Sequence, residues 1–338
     1  MKAIKINEAK KIEIIDVDEP KVKNDKDVKI KIKVVGICGS DAHIYHGTNP
    51  LATYPRIIGH EFSGEVVEIG SKVKKLKIGD RVSVDPIVFC GKCYPCKLNR
   101  PNICEKLKVS GVHRDGGMQE YFLTTEEKCH VLNKNVSFER AALVEPFTIA
   151  AQANWKGKVN KDDLLLIIGA GTIGLCILMY AKKIGAKCIV TDVFDKKLER
   201  AKEYGADYII NTAKENLDVK LSKIEDGKGP SVTIDSACLP VTFEDSIRVT
   251  KEGGRVVTLG FSATPSQLAS MYFVKKELSV YGSRLQTHKF PIVVELFNSG
   301  FDASKLISHK FNYKDIVKAF DTFDDINIDT VKVCVLFD

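Results

Sequence analysis

The feature that most constrains this 338-residue chain is a glycine loop in a particular setting. Gly169-Ala170-Gly171-Thr172-Ile173-Gly174 reads G-x-G-x-x-G, a weak pattern when it stands alone. Here it follows the apolar run LLLII and opens an apolar, helix-like stretch over residues 175–182. Strand, glycine turn and helix in that order form a nucleotide-binding unit, with a pyrophosphate at the helix N-terminus. Gly169 permits the turn, Gly171 lets phosphate approach the backbone, and Gly174 lets helix and strand pack closely. Downstream, KCIVTD, DYIIN, SVTIDSA, GRVVTLG and LSVYGS are further short apolar strands. Helix-like segments such as DKKLERAKEYGA separate the earlier ones. This alternation predicts a doubly wound, parallel, six-stranded sheet of the Rossmann type.

The second strand ends at Asp192, 21 residues beyond Gly171. A carboxylate there accepts hydrogen bonds from ribose hydroxyls and repels a 2′-phosphate, which favours NAD over NADP. Lys196 and Lys197 follow closely and act in the opposite sense.

The chain before about residue 145 has a different character. KIKVVGICG, EFSGEVVEIG and DRVSVDPIV are β-branched runs bounded by Gly and Pro, as in a mostly-β domain. The expected division is a catalytic domain over 1–145, a nucleotide-binding domain over 146–285, and a segment over 286–338. That last segment, with a helix over 291–298 and the strand VKVCVLF, is expected to return to the first domain.

Ten cysteines occur, and four of them crowd between Cys90 and Cys104. Cys90, Cys93, Cys96 and Cys104 follow C-x2-C-x2-C-x7-C, with Gly91 and Pro95 suited to the tight turns between them. Crowding of this kind in a chain expected to be cytosolic points to metal rather than disulfides. Four thiolates with no open position make a structural zinc site, expected in a lobe over about 86–108. An iron–sulfur cluster is the rival, because the first three cysteines share ferredoxin-like spacing.

A second set of donors is scattered: Cys38 with Ser40 and His43, then His60-Glu61, then Glu145 before Pro146. Singly, each reads as core filler, satisfied structure or a solvated acid. Together they offer a thiolate, an imidazole and carboxylates, which zinc accepts. Three protein ligands and one open position define a catalytic zinc site.

Other classes fit poorly. The net charge of +7 comes from lysines interleaved with acids, as in KVKNDKDVK, and no basic block carries interleaved aromatics. Nucleic-acid binding is therefore not expected. The longest apolar stretch is broken by glycines and too short for a bilayer. MKAIKI lacks the n- and h-regions of a signal peptide, so a cytoplasmic location is expected.

VGICGSDAH, GHEFSGEVVEIG, GDRV, the four-cysteine lobe, GGMQEY, EPF and GAGTIG occur in that order along the whole chain. In these motifs the chain resembles the zinc-containing medium-chain dehydrogenase/reductase family. It is most similar to the branch of sorbitol, threonine and sugar-acid dehydrogenases, and GVHRDGG, LVEPF and GSR resemble the galactonate and gulonate enzymes in particular. The resemblance implies a GroES-like, mostly-β catalytic domain beside the Rossmann domain, two zinc ions per chain, NAD, and a homodimer or homotetramer. Cys38 and His60 match the two constant catalytic zinc ligands, and Glu61 and Glu145 match the carboxylates that share the remaining positions. Which glutamate ligates directly is left open, as is exchange between them during turnover. Ethanol-type enzymes carry a cysteine where Glu145 stands. Thr148, Cys238, Gly260 and Ser283 match positions lining the nicotinamide or its ribose, although Cys238 reads equally as core.

The implied reaction is hydride transfer from a secondary alcohol to NAD, with zinc as the Lewis acid. Its proton leaves through Ser40, the coenzyme ribose and His43. A sugar acid needs a cation for its carboxylate, and His113, Arg114 and Arg284 are the candidates. Arg284 can instead contact the pyrophosphate, and Arg114 can simply pair with Asp115. Threonine and a neutral polyol are the alternative substrates. A non-catalytic, NAD-binding regulatory protein is the alternative of another class. Such a protein tends to lose zinc ligands, whereas both sets persist here.

Overall fold

The computed structural model describes residues 1–337, and these divide into two compact units. One comprises Met1–Glu145 with the chain from Thr287 onward, and the other comprises Pro146–Gln286.

In the first unit, a seven-stranded sheet is organised around the ten-residue strand Asp27–Gly36. DVKIKIKVVG is rich in β-branched residues, and Val28, Ile30, Ile32, Val34 and Val35 are buried, which fixes its register. It pairs antiparallel with Glu61–Ile69 along its length, with Tyr121–Thr125 at its start and with Lys332–Leu336 at its end. Lys332–Leu336 also runs parallel to Ile307–Asn312, so the last strands of the chain complete the sheet begun by the first. This brings both Cys38, two residues past Gly36, and Lys332 beside the strand that starts at Glu61. A smaller three-stranded sheet joins Lys11–Asp16, Lys2–Glu8 and Arg56–Ile57.

The second unit is a six-stranded sheet, parallel throughout. Its strands lie in the order Tyr208–Asn211, Lys187–Asp192, Leu164–Ile168, Val232–Asp235, Arg255–Thr258, Ser279–Gly282. Chain order reverses direction between Leu164–Ile168 and Val232–Asp235, which creates the crevice where open α/β sheets bind ligands. The helix after the glycine loop spans Thr172–Ile184, longer at both ends than the expected 175–182. Thr172 to Gly174 of the motif form its first turn, and Gly185, at φ 98°, closes it in the left-handed conformation. Among the described residues, no helix is long and apolar enough to cross a membrane.

Candidate active site

Cys38 sits at the N-cap of the short helix Gly39–Tyr45. Asp41, fully buried, fastens it there: one carboxylate oxygen accepts from the Cys38 amide at 3.0 Å, the other from the Gly59 amide at 3.2 Å. One side chain thus ties the backbone at Cys38 to the residue preceding His60. Asp41 Oδ1 also lies 3.6 Å from His60 Nδ1, a buried atom that makes no hydrogen bond of its own. His60 Nε2 faces the opposite way, 3.3 Å from Ser40 Oγ. Burial alone would lower the His60 pKa, but Asp41 and then Cys38 raise it well above the usual value. A carboxylate behind one ring nitrogen, with the other turned toward a thiol, is the arrangement that orients a metal-ligating histidine.

One donor atom each from Cys38, His60 and Glu61 lies within 4.8 Å of the others. Glu61 is 1% exposed and ion-paired with Lys332, itself 2% exposed, whose ammonium also donates to Ile37 O at 3.0 Å. Space for this pair comes from Gly36, because a Cβ there would lie 2.5 Å from Glu61 Oε2. Glu145, at the start of the helix Val144–Lys156, is outside the three-donor group but close enough to interact with it. Burial pushes its carboxyl up to about 8, with His60 opposing and Glu61 reinforcing. A thiol, an imidazole and two buried carboxyl groups fit zinc better than magnesium or calcium. The sequence reading missed Lys332 and gave Asp41 no role.

Cys90, Cys93, Cys96 and Cys104 converge equally well, all four sulfurs lying within 4.8 Å of one another. Cys93 Sγ is 3.5 Å from Cys96 Sγ and 3.7 Å from Cys104 Sγ, too far for a disulfide and suited to a shared ion. Backbone amides of Cys90 and Lys106 donate to Cys104 Sγ, each at 3.3 Å. Amides of Lys92 and Cys93 hold the Cys90 thiol down to about 6. Amide donors aimed at sulfur stabilise thiolate, the form that binds zinc.

The remaining candidates are distributed over both units. His43, exposed on the same helix, has Nδ1 2.9 Å from Thr48 Oγ1. The GVHRDGG loop runs beside the metal donors: Gly116 and Gly117 amides donate to Ile57 O and Gly59 O, each at 2.8 Å. A Cβ on Gly116 would fall 2.2 Å from Gly59 O. The loop therefore packs directly against the residue before His60. His113 Nδ1 accepts from the Val109 amide at 3.2 Å. Arg114 is exposed and does not pair with Asp115. Asp115 instead takes Arg56 at 3.0 Å and the Ile57 amide at 3.1 Å, which turns its carboxylate to the strand Arg56–Ile57 rather than to its neighbour.

In the second unit, Gly169 is at φ 97° and a Cβ on Gly174 would lie 1.9 Å from Gly169 O, so only glycine fits there. Thr172 and Ile173 open the helix that follows. Asp192 stands at the strand end against this loop. Its Oδ2 accepts from the Ala170 amide at 2.8 Å, and its Oδ1 from Val193 and Phe194. The Lys197 ammonium lies 4.9 Å from the Phe194 ring centre. Cys238 adopts φ 64° against Gly260, where a Cβ would come within 2.3 Å of Cys238 Cβ. Ser283 Oγ is buried without a hydrogen-bond partner among the described residues, and Thr148 is fully buried. Arg284 lies over the Phe261 ring at 5.1 Å.

Two sets of metal-ligating side chains in the first unit, and a parallel sheet with a G-x-G-x-x-G turn in the second, are the features of a metal-dependent dehydrogenase. Comparison with known proteins agrees. Residues 24–134 match the alcohol dehydrogenase GroES-like domain, and residues 172–299 match the zinc-binding dehydrogenase domain. The starvation-sensing protein RspB of Escherichia coli K12 is 39% identical, over 100% of this chain and 99% of its own length. L-Galactonate-5-dehydrogenase of the same organism is 32% identical, over 94% of this chain and 93% of its own. A crystal structure of the rspB alcohol dehydrogenase from E. coli CFT073, complexed with NADH, superposes with TM-score 0.95 at 38% identity. It covers 100% of this chain and 99% of that one. The chain belongs to the zinc-type alcohol dehydrogenase family of medium-chain dehydrogenases.

Proposed function

We propose that this dehydrogenase oxidises a secondary hydroxyl of a sugar acid such as galactonate or gulonate, passing hydride to NAD. The observation that carries the reading is the convergence of Cys38, His60 and Glu61, with buried Glu145 beside them. Zinc held by these residues supplies the Lewis acidity that makes an alcohol acidic near neutral pH. Cys38 and His60 are its constant ligands, and one of the two glutamates is the third. Asp41 orients the His60 ring. Lys332 competes for Glu61, which favours Glu145 as the ligand whenever the Glu61–Lys332 pair is closed.

Ser40 accepts the substrate proton, since its hydroxyl already lies beside the donor set. His43, exposed on the same helix, would hand the proton on to solvent, and a bound coenzyme would supply the hydroxyl link between the two residues. The glycine loop Gly169, Gly171 and Gly174 takes the pyrophosphate, with Thr172 and Ile173 at the helix start. Asp192 takes the adenosine ribose and gives the preference for NAD, and Lys197 stands beside it. Thr148, Cys238, Gly260 and Ser283 serve the nicotinamide half. The four-cysteine lobe holds a second, structural zinc.

Arg114 favours an anionic substrate. It is an exposed guanidinium on a loop packed against Gly59, and it is not neutralised by its neighbour. His113 supports the same role from that loop. Arg284 is the less favoured contact because it stacks on Phe261. We also infer a cytoplasmic homo-oligomer, with reduced thiols and an exposed apolar sheet edge at Ser279–Gly282 in support.

The test compares initial rates on galactonate, gulonate, threonine and sorbitol with NAD and with NADP. Activity on the sugar acids that falls at least tenfold in Arg114→Ala is expected. Threonine as the sole good substrate would overturn the reading. Metal analysis accompanies it: about two zinc per chain fits the enzyme, whereas none fits a regulatory binding protein.

A further inference from the structure

Holding one ion on four cysteines needs only short gaps, yet seven residues separate Cys96 from Cys104. Two side chains of that spacer hold a segment nearly two hundred residues away. Asn102 Oδ1 accepts from Thr287 Oγ1 at 2.5 Å, and His288 Nε2 lies 2.7 Å from Asn99 Oδ1. Thr287 is the first residue of the chain as it re-enters the first unit. Around this point the backbone is strained: Leu285 and His288 have φ of 48° and 53°, left-handed values that non-glycine residues hold only under external constraint. Asn99, at φ 57°, follows the C-cap of the short helix, a left-handed position that asparagine takes readily.

Within the spacer, Pro101 and Asn102 are buried, but the remainder has little to hold it. Its neighbouring helix, Tyr94–Lys97, is four residues long, and Tyr94 and Leu98 are 71% and 51% exposed. Besides the Arg100 amide, which donates to Pro95 O at 2.9 Å, the spacer is tied at its two ends. The Asn99 amide donates to Cys96 O, and the Cys104 amide closes the turn Pro101–Ile103 by donating to Pro101 O. Both ends are therefore metal-ligand positions.

We propose that residues 97–103 form a metal-dependent clasp, through Asn99 and Asn102, on the returning chain at Thr287 and His288. The proposal rests on reading the four cysteines as a structural zinc site. With zinc on the lobe the clasp is closed and the left-handed return is held. Without it, Asn99 and Asn102 lose their placement and the return relaxes. Linkage makes the effect reciprocal: loosening the return must also loosen the lobe's hold on zinc.

The test uses the full chain with Cys38→Ala, so that the lobe retains the remaining zinc, and follows transfer of that zinc to a chromogenic chelator. Thr287→Val with His288→Ala should speed release about tenfold, the factor that two ordinary hydrogen bonds supply. In the otherwise native protein, Asn99→Ala with Asn102→Ala should speed amide exchange over residues 285–289 by a similar factor. Zinc retained but released at the parent rate would overturn the clasp alone. A Cys38→Ala chain that binds no zinc would overturn the metal reading and the clasp with it.

Discussion

Lys332 is a charged residue with almost no access to water, and its existence there is a statement about Glu61. Burial alone would lower the lysine pKa, but the Glu61 carboxylate outweighs it and raises the value. Removing one member of such a pair costs about 3–5 kcal/mol, because the other is left buried and uncompensated. Lys332→Met should therefore destabilise the metal-free protein by roughly that amount in urea titrations. Adding Glu61→Gln should restore most of the loss, and an unshifted midpoint in the single variant would refute the coupling. Glu145 yields a second expectation. With its carboxyl pushed up to about 8 by burial, it is mostly protonated at neutral pH in the metal-free protein. Ligation by Glu145, as proposed, requires that proton to leave, so metal uptake at pH 7 should release more protons than at pH 9. Calorimetry in two buffers of different ionisation enthalpy reads this, and Glu145→Gln should release about one proton fewer. These two residues differ in how far sequence could reveal them. Glu145 was legible from LVEPF, whereas Lys332 pairs across 271 positions and sits in VKVCVLF, where a lysine reads as a solvated strand end. Asp41 carried a usable signal, since a carboxylate three residues after Cys38 is a helix-capping pattern.

At the scale of elements, the strand Cys129–Leu132 and the helix Phe290–Asn298 meet through a ring stack. The His130 and Phe290 centroids are 4.7 Å apart at 18°. Burial lowers the His130 pKa from 6.5 to about 4, against a smaller opposing effect of Asp85. Between these values the unfolded chain binds a proton that the folded chain does not. The contribution is thus complete above pH 6.5 and disappears as pH falls toward 4, by up to about 3 kcal/mol. His130→Phe should keep the stack and remove this share of the acid sensitivity. Equal losses of stability between pH 7 and pH 5 in both proteins would contradict it. The parallel strands and the glycine turn were readable beforehand, because buried strands leave continuous apolar runs and only glycine tolerates the contacts at Gly174. The start of the helix at Thr172 was not, since the motif's own residues mask its first turn. The course of the GVHRDGG loop was equally hidden, because the partner of Asp115 is Arg56, distant in sequence.

For the molecule as a whole, the sheet of the second unit has an end that no further strand covers among the described residues. Ser279–Gly282 is the terminal strand, Val280 is 37% exposed, and Met271 and Val274 in the preceding helix are 61% and 76% exposed. An apolar strand with unpaired amides and carbonyls invites pairing with another chain, and natural proteins guard such edges with charge, bulges or a partner. No lysine, proline or bulge interrupts SVYG, so the first two protections are missing. A second copy related by a two-fold axis would pair the edge with itself and bury the same side chains from both chains. At micromolar concentration the protein should elute as a dimer or larger species, and Val280→Lys should shift it toward monomer. The lobe zinc lies in the other unit, so its content should not change with that substitution. Retention of the native size by Val280→Lys would mean that the chains associate through some other surface and that this edge stays open to solvent.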